Sequence, residues 1–181
     1  MTARIPLPTP QAAPAASKAA LEQIQAAFGG VPHMFRAVSN SPAALQSMWG
    51  AFGALGGGVI PAQLGEQIAV AIADRNRCEY CLAAHTALGR KAGASAADMA
   101  AAQSGSSADP KTAAALAFAL QLVDARGQAS DADVARLREA GFNDEEIVEI
   151  VAHVALNLFT NYINVAFNVP VDFPGVKLTV R

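Results

Sequence analysis

Apolar positions recur along this chain at the three-and-four spacing of helices, and capping residues, prolines and glycines mark where each helix starts and stops. Residues 1–16 are rich in Pro and Ala and read as an extended arm. A first amphipathic stretch, Lys18–Phe28, is stopped by Gly29-Gly30. Ser41-Pro42 supplies an N-cap and a proline at the first helical position, opening a helix to about Leu55 that Gly56-Gly57-Gly58 ends. Pro61 opens the next helix, whose apolar run Ile68–Ala73 breaks at Asp74-Arg75-Asn76-Arg77. Another runs from Cys78 to about Lys91 and stops at Gly93. Ser95-x-x-Asp98, Asp109-Pro110, Ser130-x-x-Asp133 and Asn143-x-x-Glu146 begin four more, the last a long helix to about Asn168. The tail, Val169–Arg181, holds Pro170 and Pro174, and Val176–Val180 is its one strand-like stretch. About eight helices with short connections and no β pattern predict an all-α bundle, a single domain over residues 17–181 behind the arm.

Composition narrows the setting. A length of 181 residues suits one domain, or two small repeats in one core. Net charge is −2, so bulk charge gives no reason to expect nucleic acid. Charged residues make up 15% and apolar residues 52%, against an average near 25% charged; an oligomer that hides part of its surface accounts for this better than a small alanine-rich monomer. The longest apolar segment, Ile147–Phe167, is interrupted by Glu149, His153, Asn157, Asn161 and Asn164, which argues against a membrane span. Met1–Pro10 has no signal-peptide core, so a cytoplasmic protein is expected, with cysteines resting reduced.

The chemistry concentrates in four residues: Glu66, Cys78, Cys81 and His85, spaced E-x11-C-x2-C-x3-H. Cys78 and Cys81 are the two cysteines of the chain. A CxxC pair followed one helical turn later by a histidine is a dithiol redox pattern, and at about 100° per residue the three side chains fall within an arc of roughly 60°. Cys78 at a helix start would meet unpaired amides and the positive dipole end, which favour a thiolate, with Arg75 and Arg77 adding positive charge. One sulfur can attack an oxidant and the other condense with the sulfenic acid to a disulfide. His85 can take the thiol proton and return one to the leaving oxygen, and Glu66, on the preceding helix, can fold back to orient the imidazole. The chemical competitor is zinc: Cys78, Cys81 and His85 would supply three ligands, but no paired fourth ligand follows, so no metal is expected. No cofactor is expected either, since the glycine triplet lacks the Lys-Ser/Thr of a phosphate-binding loop. On the last helix His153, Asn157, Asn161 and Asn164 share one stripe; they either bond to neighbouring helices or line a pocket. His33, Phe35, Trp49 and Phe52 read as core or pocket wall.

The string C-E-Y-C-L-A-A-H with Glu66 upstream resembles the AhpD-like alkylhydroperoxidase, or carboxymuconolactone decarboxylase-like, superfamily. G-G-V-P-H-M-F-R at Gly29–Arg36 and the helix around Glu146–Asn164 resemble its peroxidase-related branch, so the likeness spans about residues 29–173. The resemblance implies an all-helical oligomer (a trimer, a hexamer or a dimer) with peroxidase or disulfide-reductase chemistry, a hydroperoxide substrate and an external dithiol reductant. It implies Cys81 as the peroxide-reacting thiol, Cys78 as the resolving one, and His85 with Glu66 as the proton relay. One residue departs from the family: Tyr80 stands where the AhpD peroxidase has a histidine between its cysteines, and a phenol with an ordinary pKa near 10 is a poor proton shuttle at neutral pH. A non-redox lyase of the same superfamily and a zinc-linked redox sensor are the alternative readings; the first would leave the dithiol without a task.

Overall fold

Side chains that can accept the first unpaired amide begin most of the helices. The structure, a computed structural model, describes residues 2–180. Among them are nine α-helices: α1 Lys18–Phe28, α2 His33–Val38, α3 Pro42–Gly56, α4 Ala62–Arg75, α5 Glu79–Lys91, α6 Ala96–Gln103, α7 Pro110–Asp124, α8 Asp131–Glu139 and α9 Asp144–Phe167. Ser41, Cys78, Ser95, Asp109, Ser130 and Asn143 each accept from a backbone N–H in the first turn, and the capping boxes of Ser95, Ser130 and Asn143 are closed by Asp98, Asp133 and Glu146. The all-α expectation holds, and the boundaries fall within a residue or two of those the pattern gave. The six-residue α2 was not expected, because so short an element shows no helical period. Val176–Val180 is extended but pairs with no strand among the described residues.

The helix α4 is the centre of the bundle, packing against α5, α6, α7 and α9. Ile68, Val70, Ile72 and Ala73 are fully buried, so this helix is enclosed on all sides. One apolar cluster joins α1, α2, α3, α5 and the tail; a second joins α4, α7, α8 and the first half of α9. By length and composition alone α9 could cross a membrane, but here it packs on α2, α3, α4, α5, α7 and α8. Its outer face leaves Val148, Val151, Tyr162 and Val165 exposed, an apolar stripe along the helix.

Both chain ends are tied to this frame. Arg4 donates to the Ala166 carbonyl at 2.8 Å, satisfying an unpaired group at the C-terminus of α9, and Arg36 holds the Leu7 and Pro8 carbonyls at 2.5 and 3.0 Å. The tail is strapped down by the fully buried Asp74, whose carboxylate accepts from Thr179 N–H at 2.9 Å, Thr179 Oγ1 at 2.5 Å and Gln103 Nε2 at 2.9 Å.

Candidate active site

The junction between α4 and α5 is set by the backbone. Arg77 adopts a left-handed conformation (φ 57°) after α4; its N–H bonds the Asp74 carbonyl at 3.1 Å, and the Cys78 N–H reaches the Ala73 carbonyl at 2.9 Å. These two bonds form a Schellman turn. Cys78 thereby ends the turn that closes α4 and caps α5, a position one residue ahead of the helical turn the sequence suggested. The Cys81 N–H donates to Cys78 Sγ at 3.2 Å, and the two cysteines are joined by a disulfide. The positive end of the α5 dipole thus points at the Cys78 sulfur.

The close fit of α4 on α5 depends on Gly89. A Cβ there would meet Met99 Cε at 2.5 Å and Glu66 Cβ at 3.3 Å. With nothing in the way, Glu66 reaches back from α4 and its Oε2 lies 2.8 Å from His85 Nδ1. The carboxylate accepts from Nδ1–H, which leaves Nε2 as the free basic nitrogen on the other side of the ring. His85 is 8% exposed, Cys81 2% and Cys78 1%.

Two cavities meet at His85. On one side Cys81, His85 and Asn164 line a narrow apolar pocket of about 40 Å³ walled by Phe28, Met34, Phe35, Phe52, Leu88 and Phe173. On the other side is a chamber of about 140 Å³ where Glu66, His85, His153 and Asn157 supply the polar groups. His153 packs closely on α4 because Gly65 has no side chain: a Cβ there would come within 3.1 Å of the ring. Burial lowers the pKa of His153 from its ordinary value; Glu149 and Glu66 oppose this, and His85 adds to it. Cys78 opens elsewhere, into a groove shared with Arg77, Asn164 and Asn168.

The expected site residues therefore separate. Glu66, Cys78, Cys81 and His85 converge. Tyr80 is a wall: its oxygen accepts from the Met34 N–H at 3.2 Å, and its ring meets Phe173 edge-on with centroids 5.7 Å apart. Burial pushes the phenol above its ordinary pKa and the nearby Asp172 carboxylate adds to this, against the Met34 bond, so Tyr80 keeps its proton at working pH and is no shuttle. His153 and Asn157 line the polar chamber, with Asn157 Nδ2 on the His153 carbonyl at 2.9 Å. Asn161 lines neither cavity flanking His85, contrary to the pocket role expected of it; its side chain turns to the end of α4 and accepts from Asn76 Nδ2 at 3.0 Å. The positive charge expected near the sulfurs is partly diverted, because Arg75 pairs with Asp124 on α7 and Arg77 Nη1 donates to the Thr179 carbonyl at 2.6 Å. His33 is not at the thiols; its ring nitrogen bonds the Pro170 carbonyl at 3.1 Å and anchors the tail. Among the described residues no three His, Cys, Asp or Glu side chains are grouped as metal ligands.

Two contributors were not assigned from sequence. Asn164 Nδ2 donates to Cys81 Sγ at 3.2 Å. It belongs to the stripe of His153, Asn157 and Asn161, but spacing alone does not say which stripe member meets the cysteine. Phe173 comes from the proline-containing tail, which has no period to read.

Residues 42–125, which carry all four motif residues, match the carboxymuconolactone decarboxylase family. An uncharacterized peroxidase-related protein from a Silicibacter species is 25% identical, with a TM-score of 0.80 over 93% of this chain and 91% of its own. A peroxidase-related protein with an alkylhydroperoxidase AhpD core from Ralstonia eutropha is 26% identical, with a TM-score of 0.83 over 94% and 92%. The debrominase Bmp8, solved in complex with 2,3,4-tribromopyrrole, shares the fold at 20% identity, with a TM-score of 0.79 over 95% and 92%. No curated protein matches the chain in sequence.

Proposed function

Because the chain belongs to the AhpD-like, carboxymuconolactone decarboxylase-like superfamily, in its peroxidase-related branch, we propose that it is a thiol-dependent peroxidase that reduces organic hydroperoxides through Cys81 and Cys78. The observation that carries this reading is the placement of the two sulfurs. Cys81 and the free edge of His85 share the apolar pocket, while Cys78 is bonded to Cys81 and opens to a separate groove.

In the reduced protein His85 Nε2 takes the Cys81 thiol proton, and Glu66 supports the imidazolium that forms. The thiolate attacks the terminal oxygen of R–O–O–H. The O–O bond breaks, Cys81 becomes a sulfenic acid, and RO⁻ takes the proton from His85 to leave as the alcohol. Cys78 then attacks the sulfenic sulfur, giving the Cys78–Cys81 disulfide and water. An external dithiol, approaching the Cys78 groove, returns both thiols and is itself oxidised. The apolar lining suits a substrate with an organic R group better than hydrogen peroxide. A reducing, cytoplasmic setting fits this cycle.

The protein is also expected to work as a homo-oligomer. The exposed stripe of Val148, Val151, Tyr162 and Val165 on α9 is uncharged and apolar, a surface that a second copy would cover. Light scattering at micromolar concentration should give a multiple of 18.6 kDa; a monomer contradicts the expectation.

The test of function is hydroperoxide consumption with a dithiol reductant, for wild type and Cys81→Ser. Sustained turnover by wild type and none by Cys81→Ser is the expected result. Equal rates in the two proteins, or no consumption by either, contradict the proposal.

A further inference from the structure

Asn164 holds an unsatisfied oxygen at the attacking sulfur. Its side chain is 3% exposed and lies on α9 against the apolar pocket. Nδ2 is committed to Cys81 Sγ at 3.2 Å, yet Oδ1 is buried with no hydrogen-bond partner on the protein. Buried carbonyl oxygens rarely stay unpaired, and one that does so beside a reacting atom calls for a ligand hydrogen. The pocket's own walls offer little: Phe28, Phe35, Phe52 and Phe173 have no donor, and the Tyr80 hydroxyl, which accepts the Met34 amide, has the Asp172 carboxylate as the partner for its own hydrogen.

We propose that Asn164 is a catalytic residue that orients the hydroperoxide, its Nδ2 holding the Cys81 sulfur while its Oδ1 accepts the hydrogen of the terminal O–H. The inference rests on the peroxidase reading of this site. The oxygen that Cys81 attacks is the one that bears this hydrogen. A planar carboxamide carries its donor and its acceptor side by side, so one group can aim both reacting atoms at each other. A carboxylate at this position would keep the acceptor but place a negative charge against the thiolate, and an apolar side chain would supply neither contact. No electrons pass through Asn164: the O–O bond breaks to the Cys81–O bond and RO⁻ as described above, with the leaving proton from His85.

The test compares two electrophiles on reduced, full-length protein in a Cys78→Ser background, by stopped flow. tert-Butyl hydroperoxide offers an O–H hydrogen; methyl methanethiosulfonate does not. In Asn164→Leu both rates should fall through loss of the sulfur contact, but the hydroperoxide rate should fall about tenfold further, so their ratio drops about tenfold. Asn164→Asp keeps an acceptor oxygen, so both rates should fall together and the ratio should stay within about threefold of the parent. If Asn164→Leu does not fold, Asn164→Ala removes the same two contacts and carries the same expectation. A ratio in the apolar variants within threefold of the parent overturns the assignment. A parent protein that reacts with the thiosulfonate but not with hydroperoxide overturns the peroxidase reading, and this assignment with it.

Discussion

The two faces of the His85 ring look onto opposite environments. On the Cys81 side the walls are mostly Phe, Leu and Met, and the polar residues beside the sulfur are Tyr80, His85 and Asn164. On the Glu66 side the chamber holds a carboxylate, a second imidazole and an amide. An apolar wall would keep water from a sulfenic acid and favour an organic substrate; a polar chamber of this size can hold water beside the Glu66–His85 pair. On the proposed cycle the substrate would meet the apolar side while the polar side supports the imidazole, with one histidine as the partition and Phe52 lining both cavities.

The comparison can be broken at the partition itself. His85→Ala removes the group that serves both sides, and alkylation of Cys81 at neutral pH should slow by about 10²-fold, within the usual range for a general base. Glu66→Gln keeps the ring but loses its support, and a loss of roughly tenfold is expected, because the α5 N-terminus still assists the thiolates. The two losses should not multiply in the double variant, since both act through one relay. Wild-type alkylation rates in both single variants would sink the relay.

Opening the wall is a milder change. Phe52→Ala should join the cavities and admit water, lowering the preference for tert-butyl hydroperoxide over hydrogen peroxide by about threefold to tenfold. It should destabilise the fold by less than the roughly 3–5 kcal/mol of a fully buried Phe→Ala change, because Phe52 is half-buried. An unchanged preference would mean that the wall does not select the substrate.

The polar side has a pH signature. Burial lowers the folded-state pKa of His153 below its ordinary 6.5. Above pH 6.5 the ring is neutral in both folded and unfolded chains and costs nothing. As pH falls through 6.5 the unfolded chain binds the proton first, so stability declines. Melting temperatures between pH 7.5 and 5 should fall more steeply in wild type than in His153→Gln; parallel curves would contradict this.

The smallest kinetic effect is expected at Tyr80. Tyr80→Phe should change Cys81 reactivity by less than about threefold, yet lower stability by about 1–3 kcal/mol by leaving the buried Met34 N–H unpaired. A large kinetic loss without a stability loss would give the phenol the shuttle role that its burial denies it.

The helix starts were legible because capping is local: Ser95, Ser130 and Asn143 with their acidic partners announce their helices in four residues. The convergence of Glu66, Cys78, Cys81 and His85 was legible for a similar reason, since a single tight turn within 19 residues of sequence brings Glu66 to His85. What stayed hidden depends on distant packing. Asn164 lies 83 residues from Cys81, and nothing in the spacing of the α9 stripe distinguishes it from Asn161, which turns to Asn76 instead. Phe173 lies in a tail pinned to the bundle by His33, Asp74, Arg77 and Gln103, far from it in sequence. The left-handed Arg77 was equally unreadable, since glycine usually fills that place.

The central claim is that Cys81 and Cys78 act as one two-electron couple. It is tested most directly by treating fully reduced protein with one equivalent of tert-butyl hydroperoxide and mapping the thiols by mass spectrometry. The account predicts a Cys78–Cys81 disulfide, one equivalent of alcohol and full recovery of both thiols with a dithiol reductant. Two thiols that still alkylate, or direct passage of Cys81 to sulfonic acid, would contradict it.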